Sequence, residues 1–388
     1  MYANFMVYAA CIPILIEKWE MSATQAGSIS SAFMIGYAVS LFIFAWLSDY
    51  FGAKRLFLLS ALLSSASALL FGFYAHSYMT GLILYGVAAC TQGGLYTPAI
   101  MLFSERYEPS RRGTAVGYLI ASTSVGYALS LVISGVCLSW GGYRAAFIVT
   151  GCLPLLGLVL SYLALRKTTN MIYPRMDGIK VRTILMRNLN ARLLMAGYTF
   201  HCWELLGMWS WTPAFFTVCL AVSGDSIGQA AKLGAYLVAT MHVIGALASA
   251  SMGRMADYLG RRVVLIQVAL IGAGLSFVIG WLSALPVWLL VAFGLIYYFS
   301  AIGDSPVLST ALTEAVEPNY LGAVLAVRSL LGFAAGGVSP IVFGIVLDLT
   351  NAPDTKPEIW GWAFMVLGIG GFAAFLCAYF YREPSKIS

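Results

Sequence analysis

Charge is what this sequence has least of. Its 388 residues include 22 lysines and arginines and 16 aspartates and glutamates, so 10% of the chain is charged, against about 25% in an ordinary globular protein. A surface drawn from so few charges cannot keep a chain of this length in water. Cysteine supplies no framework either: the seven (11, 90, 137, 152, 202, 219 and 377) are odd in number and scattered through apolar runs, with neither disulfide nor zinc-ligand spacing. There is no His-Glu-x-x-His and no Gly-x-Ser-x-Gly, the signatures of zinc proteases and serine hydrolases. The net charge of +6 does not point to nucleic acid, because the basic residues sit in short loops. These absences exclude a soluble enzyme.

What is present is apolar. Hydrophobic residues make up 60% of the chain, and mean hydropathy is +0.85. The 39 glycines agree with a membrane chain, since Gly is commoner in membrane helices than in soluble ones. A spanning helix needs about 20 apolar residues, and twelve can be read: 2–17, 24–48, 56–76, 78–104, 113–139, 143–165, 192–220, 229–256, 263–283, 286–313, 321–349 and 359–381. The one long polar break, 166–191, divides them six and six. The expected organisation is a first bundle over 1–165, a linker over 166–191 and a second bundle over 192–388. Ile179–Met186 within the linker reads either as a surface amphipathic helix or as a solvated loop. Span 1 has 12 residues before Pro13, whereas span 7 has 21 from Arg192 to Pro213. A chain that begins late in span 1 is the expectation; thinning at its cytoplasmic end is the alternative.

Orientation follows from the basic residues. Seventeen of the 22 fall in loops on one side, four on the other, and Arg328 lies within a span. The positive-inside rule then places the linker and both termini in the cytoplasm.

The two halves repeat at an offset of 208–209 residues. Asp49 and Gly52 after span 2 answer to Asp257 and Gly260 after span 8; Glu105, Glu108, Pro109 and Gly113 answer to Glu314, Glu317, Pro318 and Gly322. Parallel six-helix repeats are a known transporter plan. Over essentially its whole length the chain resembles the major facilitator superfamily of secondary transporters. Residues 253–262, GRMADYLGRR, resemble the family's loop motif complete, with Gly253, Asp257, Gly260, Arg261 and Arg262 at its fixed positions. The first copy, AWLSDYFGAKR over 45–55, keeps Asp49, Gly52, Lys54 and Arg55 but has Ala45 and Ala53 where the motif has Gly and Arg. The resemblance implies an all-α membrane fold of about twelve helices in two pseudo-symmetric bundles, with these loops as a cytoplasmic latch; the plainer reading is a positive-inside turn. It also implies that spans 5 and 8, and spans 2 and 11, face each other. Small residues at four-residue spacing fit that close approach: Gly245, Ser249 and Gly253; Gly113, Gly117 and Ala121; Gly332 and Gly336.

Ionisable residues inside a span cost about 2.5–3.5 kcal/mol each on insertion scales and mark substrate or proton paths. The first half offers none, only Asn4 in span 1 and Gln92 and Tyr96 in span 4, which otherwise bridge helices. The second half has Glu204 and His242 at the middles of spans 7 and 8, Asp304 in span 10 and Arg328 in span 11. His201, Glu204, Met208 and Trp211 recur at i, i+3 and i+4, as do Tyr297, Ser300 and Asp304 before Pro306, so each set lines one helix face. Desolvation disfavours the charged form of a carboxylate, which makes Glu204 and Asp304 the candidates for proton coupling. Arg328 stays charged at any accessible pH and needs a partner, either one of those carboxylates or an anionic substrate. The alternative is a fixed structural set of all three that moves no proton. For His242 the alternative is a neutral ring on a backbone carbonyl, and His201 is expected to be structural. Many proton-driven exporters of the family carry an arginine in span 4 and a Gly-Pro element in span 5; here Tyr85 holds the first place and the second is missing. That weakens a drug/proton antiporter.

The expected function is secondary transport of a small solute, foremost an organic or inorganic anion, by alternating access at the plasma membrane. It is driven by protons or exchange, with no cofactor, no nucleic acid and no catalysis, and the chain acts as a monomer in the lipid bilayer. Export of cationic or apolar compounds, or a non-transporting sensor on the same fold, are the alternatives. The orientation has a direct check: an epitope after Ser388 should be reached by antibody only in permeabilised cells, and labelling of intact cells would reverse the topology.

Overall fold

The computed structural model describes residues 1–106, 109–172, 188–222, 226–352 and 358–383, with the side chains of 104–117, 120–121 and 318–323 outside that description. Among the described residues every regular element is helical. The reason is the solvent. Lipid offers backbone N–H and C=O groups no partner, so an apolar run must satisfy them within itself.

In chain order the elements are α1 (Val7–Lys18), α2 (Ala23–Phe51), α3 (Ala53–Tyr74), α4 (Tyr78–Gln92), α5 (Thr97–Arg106), α6 (Pro109–Leu165), α7 (Leu189–Val222), α8 (Ile227–Leu259), α9 (Arg261–Ile279), α10 (Val287–Ala315), α11 (Pro318–Thr350) and α12 (Gly361–Phe380). Nine helices among the described residues are long and apolar enough to cross a membrane. Two of the other expected spans are present in altered form. Span 1 is the 12-residue α1 preceded by a 3-10 turn at Tyr2–Asn4. Span 4 is α4 and α5 joined by a 3-10 turn at Gly93–Leu95. Spans 5 and 6 are both present as expected: α6 is two helices that meet at Gly142, where a non-helical backbone with φ of +63°, which only glycine adopts readily, ends one and begins the other. The amphipathic stretch expected at Ile179–Met186 lies outside the described residues.

Helix ends follow local chemistry. Ser22 and Gln25 form a reciprocal capping box at the start of α2, and Ser77 and Thr80 one at α4, each satisfying backbone donors that the first turn leaves open. The turns after α2 and α8 are glycine turns: Gly52 has φ +80° and Gly260 φ +93°. Two repeat-related positions therefore share one backbone conformation that favours glycine.

The chain forms two compact units, Met1–Arg175 with Ser210–His242, and Met176–Trp209 with Val243–Ser388. Within the first, α2, α3 and α4 close around the break in span 4. The Gly93 amide donates to Ser40 Oγ at 2.8 Å, Ser40 Oγ donates to the Cys90 carbonyl at 3.0 Å, and Ser60 Oγ donates to the Thr91 carbonyl. Hydroxyls thus replace the helical bonds that the break gives up. A Cβ at Gly93 would meet the Ser40 backbone, and one at Gly94 would meet Phe44 and Ser60. In the same unit, a Cβ on Gly135 of α6 would lie 3.1 Å from the Lys232 carbonyl and 2.9 Å from the Tyr236 ring of α8, so spans 5 and 8 do face each other there. Within the second, Gly332 and Gly336 of α11 pack against Tyr198, Cys202 and Leu206 of α7, and Gly245 of α8 packs against Ile302 of α10. The core beneath α7 is apolar, including Leu194, Val268, Leu308 and Leu312.

Gly93→Ala should therefore lower stability by about 1–3 kcal/mol through overpacking, read as a fall in the thermal midpoint of the purified protein. Gly86→Ala is the control, because nothing lies within 4 Å of a Cβ there; equal effects of the two would remove the packing argument.

Candidate functional site

The stripe read on span 7 is buried along its length: His201, Glu204, Met208 and Trp211 are 2%, 4%, 0% and 0% exposed. Within the second unit, Glu204 accepts a hydrogen bond of 2.6 Å from Ser276 Oγ of α9. Ser276 in turn bonds the Tyr297 hydroxyl of α10. Room for the carboxylate comes from glycine: a Cβ on Gly272 would come within 3.7 Å of Glu204 Oε1, and one on Gly371 would collide with the carboxylate. One turn along α7, His201 Nδ1 lies 2.8 Å from Asp304 Oδ1, while His201 Nε2 is 2.7 Å from Ser305 Oγ. His201 is thus not a passive packing residue but the partner of the buried Asp304. Sequence spacing put the two residues on the right faces of α7 and α10 but could not pair one helix with the other.

Arg328 is held differently. Its guanidinium carbon lies 3.7 Å over the Tyr198 ring, its Nη1 donates to Ser309 Oγ at 2.9 Å, and its buried Nε has no hydrogen-bond partner among the described residues. No carboxylate is paired with it there: the ion pairs are His201 with Asp304, and Arg261 with Asp257 and with Glu314. The fixed set of Glu204, Asp304 and Arg328 does not form, because each carboxylate already has other partners. A permanent cation on an aromatic face gains about 0.5–2 kcal/mol, yet its buried Nε–H is left without a partner among the described residues.

In the first unit, Gln92 is 2% exposed and ends α4 directly at the break, its Oε1 without a partner among the described residues. Tyr96, half-buried, opens the continuation beyond it. Asn4 donates to Ser64 Oγ at 3.1 Å, which ties the first turn of the chain to α3. His242 is buried and meets Tyr127 of α6 edge-on, ring centroids 5.9 Å apart. Trp211 belongs to this unit, whereas Glu204, Asp304 and Arg328 belong to the other.

The sequence model of the Major Facilitator Superfamily matches residues 1–250 and 205–388, two overlapping stretches that together cover the chain. The chain belongs to the Major Facilitator Superfamily. It is similar to a protein of Cupriavidus necator described as a probable sulfoacetate transporter, 23% identical, the match covering 96% of this chain and 89% of that one. It is also similar to a hexuronate transporter of Bacillus subtilis, 24% identical over 90% of this chain and 85% of that one. Among solved structures, a bacterial homologue of the human lysosomal transporter Spinster superposes with a TM-score of 0.76 over 100% of this chain and 96% of its own, at 16% identity. That likeness carries the fold. As a member of this superfamily the chain is a membrane transporter and not an enzyme.

The superfamily's loop motif can now be read in atoms. In the second copy Arg261 binds Asp257 at 2.6 Å and Glu314 at 3.0 Å, while Arg262 donates to the Tyr379 carbonyl at 2.7 Å. Gly253 has open space where a side chain would stand. In the first copy Lys54 Nζ donates to the Thr168 carbonyl at 2.8 Å, and neither Asp49 nor Arg55 forms an ion pair among the described residues. Two residues that the motif does not contain complete the loops. Asn170 bridges the first glycine turn, donating to the Phe51 carbonyl at 2.8 Å and accepting from the Arg55 amide at 3.4 Å. Glu383 accepts from the Arg261 amide, a carboxylate at the positively polarised start of α9. Both follow the last span of their half, a likeness of position that a repeat search could have found.

The ring beneath Arg328 is testable. Tyr198→Leu should lose about 0.5–2 kcal/mol of stability, while Tyr198→Phe keeps the ring face and most of that contact. Equal losses in thermal-shift measurements would assign the effect to the hydroxyl instead.

Proposed function

We propose that this superfamily member transports a small organic anion across the plasma membrane by alternating access of two bundles, 1–165 and 192–388, joined by the linker 166–191. One observation carries the reading: Arg328 is a permanent cation inside a membrane-spanning helix, pairs with no carboxylate among the described residues, and has a buried Nε that lacks a hydrogen-bond partner there. An anionic substrate supplies the missing partner. Carboxylate or sulfonate oxygens match the planar guanidinium, and charge-assisted bonds of this kind are the strong ones. The relatives support this class, since sulfoacetate and hexuronates are both anions at neutral pH.

Coupling falls to the neighbouring acids. The His201–Asp304 pair holds one shared proton, whose release leaves a single negative charge, and Glu204 exchanges its proton along the Ser276–Tyr297 hydroxyls beside it, each hydroxyl passing one proton on as it accepts another. Substrate anion and proton then travel together, or one anion exchanges for another. Gln92, Tyr96, His242 and Trp211 contribute polar and aromatic surface on the substrate path. The loops at 45–55 and 253–262 form the cytoplasmic gate.

Arg328→Gln should abolish uptake of a transported carboxylate or sulfonate into proteoliposomes while expression persists and stability falls by no more than about 0.5–2 kcal/mol, the worth of the lost contact with Tyr198. Arg328→Lys should restore it only in part, because an ammonium lacks the planar fork. Retained uptake in Arg328→Gln, with loss confined to Glu204→Gln, would overturn the anion assignment and favour a cationic substrate. Flux unmoved by collapsing the pH gradient would remove the proton and leave exchange.

A further inference from the structure

We propose that the second unit carries a binding site for the headgroup of an anionic phospholipid, formed where the start of α7 meets the end of α12. A cavity of about 800 Å³ opens there, lined by Arg262 and Arg382 with Asn190, Leu189, Tyr379 and Phe380 among its walls. The inference does not depend on the transport reading.

The loop motif's two arginines have different surroundings. Arg261 is occupied by Asp257 and Glu314. Arg262 has no acidic partner among the described residues; its Nε and Nη2 both donate to the Tyr379 carbonyl, at 3.2 and 2.7 Å, and its guanidinium lies 5.7 Å from the Tyr379 ring centroid. Those bonds fix the plane of the group and leave Nη1 to donate elsewhere. Arg382 is fixed through its backbone, its carbonyl accepting from Asn190 Nδ2 at 2.7 Å and its amide donating to Asn190 Oδ1 at 3.3 Å. Its exposed side chain makes no hydrogen bond or ion pair among the described residues. Two positive charges with anchored bases therefore border one cavity, and no carboxylate is among the described residues that line it.

The surroundings select the occupant. Leu189, Tyr379 and Phe380 are 59%, 51% and 61% exposed, apolar and aromatic surface at the mouth of a charged cavity, as expected at the boundary between hydrocarbon and headgroups. The basic excess of this end of the helices assigns it to the inner leaflet, where anionic lipids attract arginine by about 1 kcal/mol per residue. The adjoining linker is a poor rival, because 166–191 carries six lysines and arginines against a single aspartate. A phosphodiester with acyl chains reaching past Leu189 satisfies both halves of the site.

The full-length protein in neutral detergent, titrated with dioleoylphosphatidylglycerol and followed by native mass spectrometry, tests this. Arg382→Ala should weaken binding about fivefold and the double variant with Arg262→Ala roughly 25-fold, with phosphatidylcholine binding unchanged. Because the Arg382 side chain makes no hydrogen bond or ion pair among the described residues, that variant should fold normally. Equal binding of the two lipids, or undiminished phosphatidylglycerol binding by Arg382→Ala, would overturn the proposal. Full competition by glycerol 3-phosphate would assign the site to a soluble phosphate and overturn the lipid reading as well.

Discussion

Everything in this structure answers to the absence of water around its helices. A polar group that folding leaves open in lipid costs several kcal/mol, so each departure from regular helix has to be matched at once by a neighbour. The break at Gly93–Leu95 shows how this is done. Ser40 and Ser60 approach from α2 and α3 and take up the backbone groups of Cys90, Thr91 and Gly93. Glycine makes the approach possible and serine makes it tolerable. Irregular backbone at membrane depth is tolerated where it is buried in protein or lines a cavity, and Gln92 stands at the edge of this one.

The same constraint sorts the charges. Asp304 has its histidine, and Glu204 has two hydroxyls and a notch of glycine. Arg328 rests on a ring instead of a carboxylate. A buried ion with incomplete compensation costs stability, and membrane proteins keep such residues for function. Among the described residues the second half of the chain carries Glu204, Asp304 and Arg328 within its helices, while the first half has buried amides, hydroxyls and rings.

Much of the fold was legible in the sequence because the bilayer makes apolar run length a direct measure of a span. The repeat offset related Asp49 to Asp257 and Gly52 to Gly260, and the two glycines share one left-handed turn. Helical spacing brought His201, Glu204 and Asp304 to buried faces. What spacing could not give was the pairing between helices: that His201 meets Asp304, that Ser276 serves Glu204, and that Arg328 meets Tyr198. These contacts depend on helix rotation and tilt, set by packing far along the chain. The break in span 4 was hidden for a related reason, since Gly-Gly inside an apolar run also reads as close packing.

Asn170 and Glu383 have a practical bearing. Each lies beyond the last membrane helix of its half, in a stretch usually regarded as dispensable trailing sequence, yet each closes the first turn of a helix five residues or fewer past a glycine hinge. Where the chain is cut or fused therefore matters. A split into separately expressed halves that severs the linker before residue 170 leaves α3 without its clamp, and a reporter joined directly after Tyr381 takes one from α9. Assays built on such fusions would measure a transporter with a loosened turn between two helices.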